Sequence, residues 1–135
     1  MYQEEDLLLL SGVQHFVFCP RQWALIHMDQ QWAENALTTE GEILHKKVDD
    51  PSLRQLNNDR ITLRSVRIAS ATLGLNGITD AVELTPTEDP ANSICHPKYK
   101  GRFIPRPVEY KRGHHKTDEC DTMQLVCQVI CLEEM

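Results

Sequence analysis

The chain contains no run near the roughly 18 apolar residues that a membrane-crossing helix requires. Its start is also wrong for export, because Glu4, Glu5 and Asp6 precede Leu7-Leu8-Leu9-Leu10 where a secretory signal would carry a basic flank. A cytoplasmic protein without membrane contact is the expectation. The five cysteines (Cys19, Cys95, Cys120, Cys127, Cys131) form no Cys-x-x-Cys pair, and an odd number without an export signal argues against a disulfide framework. A structural zinc module built from Cys95, His96, Cys120 and Cys127 is disfavoured for the same want of close pairs. At 135 residues there is also no room for a second ordinary domain.

Net positive charge is missing too, with a formal charge of −6, but the sum hides an uneven distribution. Half of the fourteen Lys and Arg residues lie between Lys98 and Lys116 (Lys98, Lys100, Arg102, Arg106, Lys111, Arg112, Lys116), against a single acid, Glu109. Tyr99, Phe103 and Tyr110 interleave aromatic rings, available either to stack on bases or to anchor the segment. The composition alone allows a solvated basic loop. With a carboxylate inside it, a phosphate-binding wall beside a metal is the better account, carried by Lys98, Lys100, Arg102, Arg106 and Arg112.

The order of elements is α/β. Ser11 followed by Gln14 has the form of a capping box and predicts a helix from Gly12 to Phe18, and Pro20 opens a second helix containing Trp23, Ala24, Leu25 and Met28. Thr38 or Thr39 caps a predicted third helix through Gly41, Leu44 and His45, ending near Asp50-Pro51. Arg60 to Ser70, Ala71 to Leu75 and Gly77 to Leu84 read as strands, with Asn76-Gly77 as a turn signal. Pro86 to Pro97 is a loop. A last helix runs from Asp118 to Met135, capped by Asp118 or Asp121. On it Cys127 and Cys131 fall one turn apart among Leu125, Val126, Val129 and Ile130, so core packing is preferred to metal ligation. Glu133 and Glu134 carry the wrong sign for a helix C-terminus and no Gly or Asn stop follows, so the fold is expected to continue beyond the chain or to be completed by another.

Chemistry concentrates in Val108-Glu109-Tyr110-Lys111-Arg112-Gly113. On a strand, Glu109 and Lys111 share one face, while Tyr110 is expected to point to the other face and into the core. Glu109 can bind a divalent cation through oxygen while Lys111 orients or helps deprotonate a water. A second carboxylate, Asp80, is expected at the end of the strand carrying Gly77-Ile78-Thr79-Asp80, and His45 adds an imidazole from a helix. Two carboxylates suit Mg or Mn, and the imidazole shifts the preference toward Mn.

In this order, Gly41-x-x-x-His45, Gly77-Ile78-Thr79-Asp80, Val108 to Gly113 and Gln124 resemble the successive motifs of the RecB-like branch of the PD-(D/E)XK nucleases. Val13-Gln14-His15-Phe16-Val17-Phe18-Cys19-Pro20-Arg21 and Cys131-Leu132-Glu133-Glu134-Met135 narrow the resemblance to the CRISPR-associated RecB-like exonucleases of the adaptation machinery. The resemblance implies a restriction-endonuclease-like core, a mixed central sheet flanked by helices, with an N-terminal helical segment. It implies His45, Asp80, Glu109 and the Tyr110 backbone carbonyl as metal ligands, Lys111 as the catalytic lysine, and Gln124 as a residue positioning substrate or lysine. A tyrosine often follows that glutamine four residues on; here the position is Gln128. Cys19 matches the first of four cysteines that hold a four-iron four-sulfur cluster, the other three belonging to a C-terminal tail that these 135 residues lack. The domain is therefore expected to be incomplete at its C-terminus.

The resulting expectation is a metal-dependent DNA exonuclease acting on single-stranded ends, processing new spacer DNA with CRISPR integrase proteins. The alternative is a non-catalytic DNA-binding or scaffolding subunit of the same machinery.

Overall fold

A computed structural model describes residues 1–31, 60–111 and 119–135. The predicted helix over Gly41 and His45 lies outside the described residues. The order is a 3-10 turn (Glu4–Asp6), β1 (Leu8–Leu9), α1 (Ser11–Phe18), α2 (Pro20–His27), β2 (Ile61–Ser70), β3 (Leu75–Thr87), β4 (Ile94–Cys95), β5 (Arg102–Val108) and α3 (Cys120–Glu134). Among the described residues no helix is long and apolar enough to cross a membrane.

β3 is the spine of a mixed sheet. β2 pairs antiparallel along one edge, from Ile61 opposite Leu84 to Ser70 opposite Leu75. The other edge is shared: β1 pairs parallel with Leu75 and Asn76, and β5 antiparallel from Ala81 to Thr87. β4 extends β5 only at Phe103 and Arg102. Beyond that point β5 is an edge strand, which accommodates Pro105 and Pro107 because an edge demands no N–H and the prolines discourage further strand addition.

The β2–β3 turn lies at residues 71–74 and not at Asn76-Gly77. Gly74 takes φ +70°, a backbone region that L side chains rarely adopt, so the turn forms there. Gly77 has a different use. It sits inside β3, where a Cβ would meet the Cβ of Leu10 at 3.0 Å, so the missing side chain lets the segment after β1 lie close against the sheet.

Two apolar clusters hold the layers together. Leu10, Ile68, Leu75, Cys127 and Cys131 form one, joining the N-terminal segment, the sheet and α3. Val82, Leu84 and Phe103 form the other, with Tyr99 packed against it. The cysteines of α3 therefore serve as small apolar residues, as their periodicity predicts. Phe103 and Tyr99 anchor the basic segment by packing, and neither is a free platform for a base. Truncating Leu84, 1% exposed, should cost about 2–5 kcal/mol.

Proline at the first position of α2 starts that helix, as expected. The capping box of α1 does not form: the helix begins at Ser11 with Leu10 as N-cap and no side-chain cap bond. Gln14 is committed elsewhere, donating from Nε2 to Asp121 Oδ1 at 2.8 Å. α3 likewise has Glu119 as N-cap without a side-chain bond, and Asp121 lies in its first turn. At the far end of α3, Glu134 accepts hydrogen bonds from the Ser70 hydroxyl and from Thr72 N–H. The acid that suits a helix C-terminus poorly thus clamps the helix to the β2–β3 turn.

Candidate active site

The candidate motif is built where β3, the end of β5 and the first turns of α3 meet. β5 ends at Val108 because its next partner changes from backbone to side chain: Tyr110 N–H donates to Asp80 Oδ2 at 2.8 Å. Continuing the ladder past Ala81 opposite Val108 brings Asp80 and Glu109 opposite each other, where facing residues share one side of a sheet. Asp80 is 7% exposed and sits in the middle of β3, not at a strand end. On the other side of Asp80, Ser65 occupies the facing position of β2 with φ +52°, a conformation that serine seldom takes.

The Glu109 side chain is 6% exposed and faces α3. Gln124 Nε2 donates to its Oε1 at 2.9 Å and Gln128 Nε2 to its Oε2 at 2.8 Å. Lys111 Nζ lies 3.2 Å from Glu109 Oε1, donates to Gln124 Oε1 at 3.0 Å, and stands 3.8 Å from Asp121 Oδ1. Lys111 and Glu109 thus meet, but both lie beyond Val108, where β5 ends, which corrects the expectation that a strand carries them. Tyr110 does alternate with them, but its side chain is 43% exposed, which corrects the expectation that it enters the core. The buried side of this segment is the acidic one because α3 supplies amide donors to satisfy it.

α1 and α2 approach from the N-terminal side. His15 Nδ1 and His27 Nε2 are 3.0 Å apart, and Trp23 stacks on His27. Burial pushes the His15 imidazole below its ordinary value, helped by His27 and then by the positive charge of Lys111. Gln14 and Asp121 complete a line from α1 to Lys111.

Among the predicted site residues, Asp80, Glu109, Tyr110, Lys111 and Gln124 converge here. Lys98, Lys100, Arg102 and Arg106 are exposed on the β4–β5 turn and the outer face of β5, with Arg102 Nη1 donating to Ser93 Oγ at 3.3 Å. His45 and Arg112 lie outside the described residues. Gln128, Asp121, Gln14 and Ser65 were not anticipated as site residues. Only Gln128 carried a signal, since it follows Gln124 by one helical turn and so shares its face.

Asp80 and Glu109 supply anionic oxygen, the donor type that a hard divalent cation such as Mg or Mn takes. A cluster fits less well. Cys19 caps α2, Cys95 is exposed on β4, and Cys120, Cys127 and Cys131 are buried in α3. Among the described residues no three His, Cys, Asp or Glu side chains are grouped to hold a metal, neither a complete divalent-cation shell nor the ligand set of an iron-sulfur cluster.

A mixed sheet carrying paired acids and a lysine, closed by a glutamine-bearing helix, is the arrangement of the PD-(D/E)XK fold class. No family model matches the chain. It is 30% identical over 138 aligned residues to the CRISPR-associated exonuclease Cas4/endonuclease Cas1 fusion of Geobacter sulfurreducens, a match covering 95% of this chain and 22% of that protein. The chain is similar to that fusion protein across nearly its whole length. It spans about a fifth of the relative.

Proposed function

We propose that this chain is a divalent-metal-dependent DNA nuclease that acts on single-stranded ends and processes new spacer DNA together with a CRISPR integrase. The observation that carries the reading is Lys111 Nζ, held 3.2 Å from Glu109 Oε1 and 3.0 Å from Gln124 Oε1, one residue beyond the Tyr110 N–H that binds Asp80. The similarity to a protein named as an exonuclease fused to an endonuclease supports the integrase partnership.

In this reading Asp80 and Glu109 hold a Mn or Mg ion, with His45 and the Tyr110 carbonyl as the further ligands that the resemblance implies. An ion held by these residues would supply charge stabilisation at the phosphate and a more acidic water. Lys111 orients that water or steadies the phosphate with its ammonium, and Gln124 holds Lys111 and Glu109 in register. The exposed Lys98, Lys100, Arg102 and Arg106 bind the phosphate backbone.

The test is cleavage of end-labelled single-stranded DNA with Mn2+, with and without chelator. Asp80→Ala, Glu109→Ala and Lys111→Ala should each lower the rate roughly 100-fold or more while leaving DNA affinity nearly unchanged. A folded wild-type chain that binds DNA and never cuts it would favour the scaffolding role. Cleavage persisting in Glu109→Ala would overturn the assignment of the site.

A further inference from the structure

α3 turns Cys120, Gln124, Cys127, Gln128 and Cys131 inward. Gln128 is the more deeply buried glutamine, 1% exposed against 7% for Gln124, and its neighbours Cys127 and Cys131 belong to the apolar core. An apolar side chain would fill that position with no polar group to satisfy. Gln128 instead leaves its Oε1 buried with no hydrogen-bond partner among the described residues. Such an orphaned acceptor is unfavourable and calls for an explanation.

The other end of the amide supplies one. Gln128 Nε2 donates to Glu109 Oε2 at 2.8 Å. Turning the amide over would set two acceptor oxygens against each other, so the carboxylate dictates its orientation. Gln124, one turn earlier, donates to the opposite oxygen, Oε1, at 2.9 Å. Each oxygen of Glu109 therefore receives one amide, and two donors from adjacent turns fix the plane of the carboxylate. Gln124 is shared, since its Oε1 also accepts from Lys111. Without Gln128 the carboxylate would be tethered at one oxygen only, free to swing about its Cγ–Cδ bond.

We infer that Gln128 is a positioning residue, whose amide holds Glu109 in the plane at which it ligates the divalent cation. The inference rests on the nuclease reading above and adds a residue to it. Groups that orient metal-ligating carboxylates through hydrogen bonds set metal affinity without touching the metal.

Gln128→Met keeps the length of the side chain and removes both the donor and the orphaned acceptor. Gln128→Leu is the second variant should methionine repack. Mn2+ binding to the whole chain is measured by calorimetry without DNA, beside kcat, KM and melting temperature. The dissociation constant for Mn2+, and the Mn2+ concentration for half-maximal cleavage, should rise about 10–100-fold, with KM for DNA near wild type. Unchanged Mn2+ affinity in the folded variants overturns the inference, whatever their melting temperature. So does a raised KM for DNA at wild-type Mn2+ affinity, which would assign Gln128 to the substrate. If the wild-type chain binds no Mn2+, the metal-dependent reading itself fails and this inference falls with it.

Discussion

Ser65 faces Asp80 across the β2–β3 ladder, between the pairs Arg64 with Ala81 and Val66 with Thr79, and is held at φ +52°. Strained backbone concentrates where the surrounding structure has a use for it, and here it lies beside a carboxylate of the candidate metal site.

That strain predicts an ordering of two substitutions that both remove the hydroxyl. Ser65→Gly relieves the left-handed conformation and Ser65→Ala does not, so the glycine variant should be the more stable by about 1 kcal/mol in urea unfolding. The usual ranking in a strand, alanine above glycine, would show that the left-handed conformation is not adopted in solution.

The exposed basic face gives a salt dependence. Under the proposed function, replacing Lys98, Lys100, Arg102 and Arg106 by alanine should flatten the log-log dependence of single-stranded DNA affinity on salt by about 0.7 per lost contact, about 3 in all. A slope equal to that of the wild type would reduce these four to ordinary surface charges.

Thiol reactivity should separate the cysteines by layer. Cys95 is exposed and Cys19 half-buried, whereas Cys120, Cys127 and Cys131 are buried. Burial also pushes the Cys127 thiol up, and Cys131 rises through burial, then through Cys127 and Glu134. An aromatic disulfide reagent should modify Cys95 fastest, Cys19 more slowly and the three on α3 only after denaturation. Fast native modification at Cys127 or Cys131 would contradict their packing between helix and sheet.

Two separate groups should shape stability in acid. His15 is held below its ordinary value of 6.5 by burial, then by His27 and Lys111, so its contribution is complete above pH 6.5 and is lost as pH falls toward the lower folded value. Glu134 is held below 4.5 chiefly by the Ser70 hydroxyl, so its contribution is lost only as pH falls below 4.5. Melting temperature should therefore decline in two limbs. His15→Asn should flatten the upper one and Glu134→Gln the lower. Identical profiles in wild type and variant would remove the group concerned from the account.

Much of this fold is readable along the chain because its causes are local. Pro20 at the first position of α2, the apolar period that buries Cys127 and Cys131, and the extended run from Arg60 to Ser70 each act within a few residues. The motif itself is also legible by its two-residue spacing, but Glu109 and Lys111 lie beyond Val108, where β5 ends, so their meeting is not the work of strand alternation. Where a local signal erred, a distant residue had claimed the group. Gln14 resembles part of a capping box by spacing, yet it bonds Asp121, 107 positions away. Asn76-Gly77 reads as a turn, yet Gly77 is the gap in β3 into which Leu10 fits.

The sequence alone therefore determines α1, α2, β2 and α3, the basic segment and the candidate motif with its two-residue spacing, since propensity and helical period are properties of neighbouring residues. It misplaces a strand over Ala71 to Leu75, where residues 71–74 turn, and a loop over Pro86 to Pro97, which holds the end of β3 and β4. Only the tertiary structure decides that Gln128 and Gln124 divide the two oxygens of Glu109, that Tyr110 turns outward, and that Glu134 clamps Ser70 from 64 positions away. A buried polar group takes whatever partner the packed layers bring to it, and that choice is made by contacts across the fold, which no local pattern encodes.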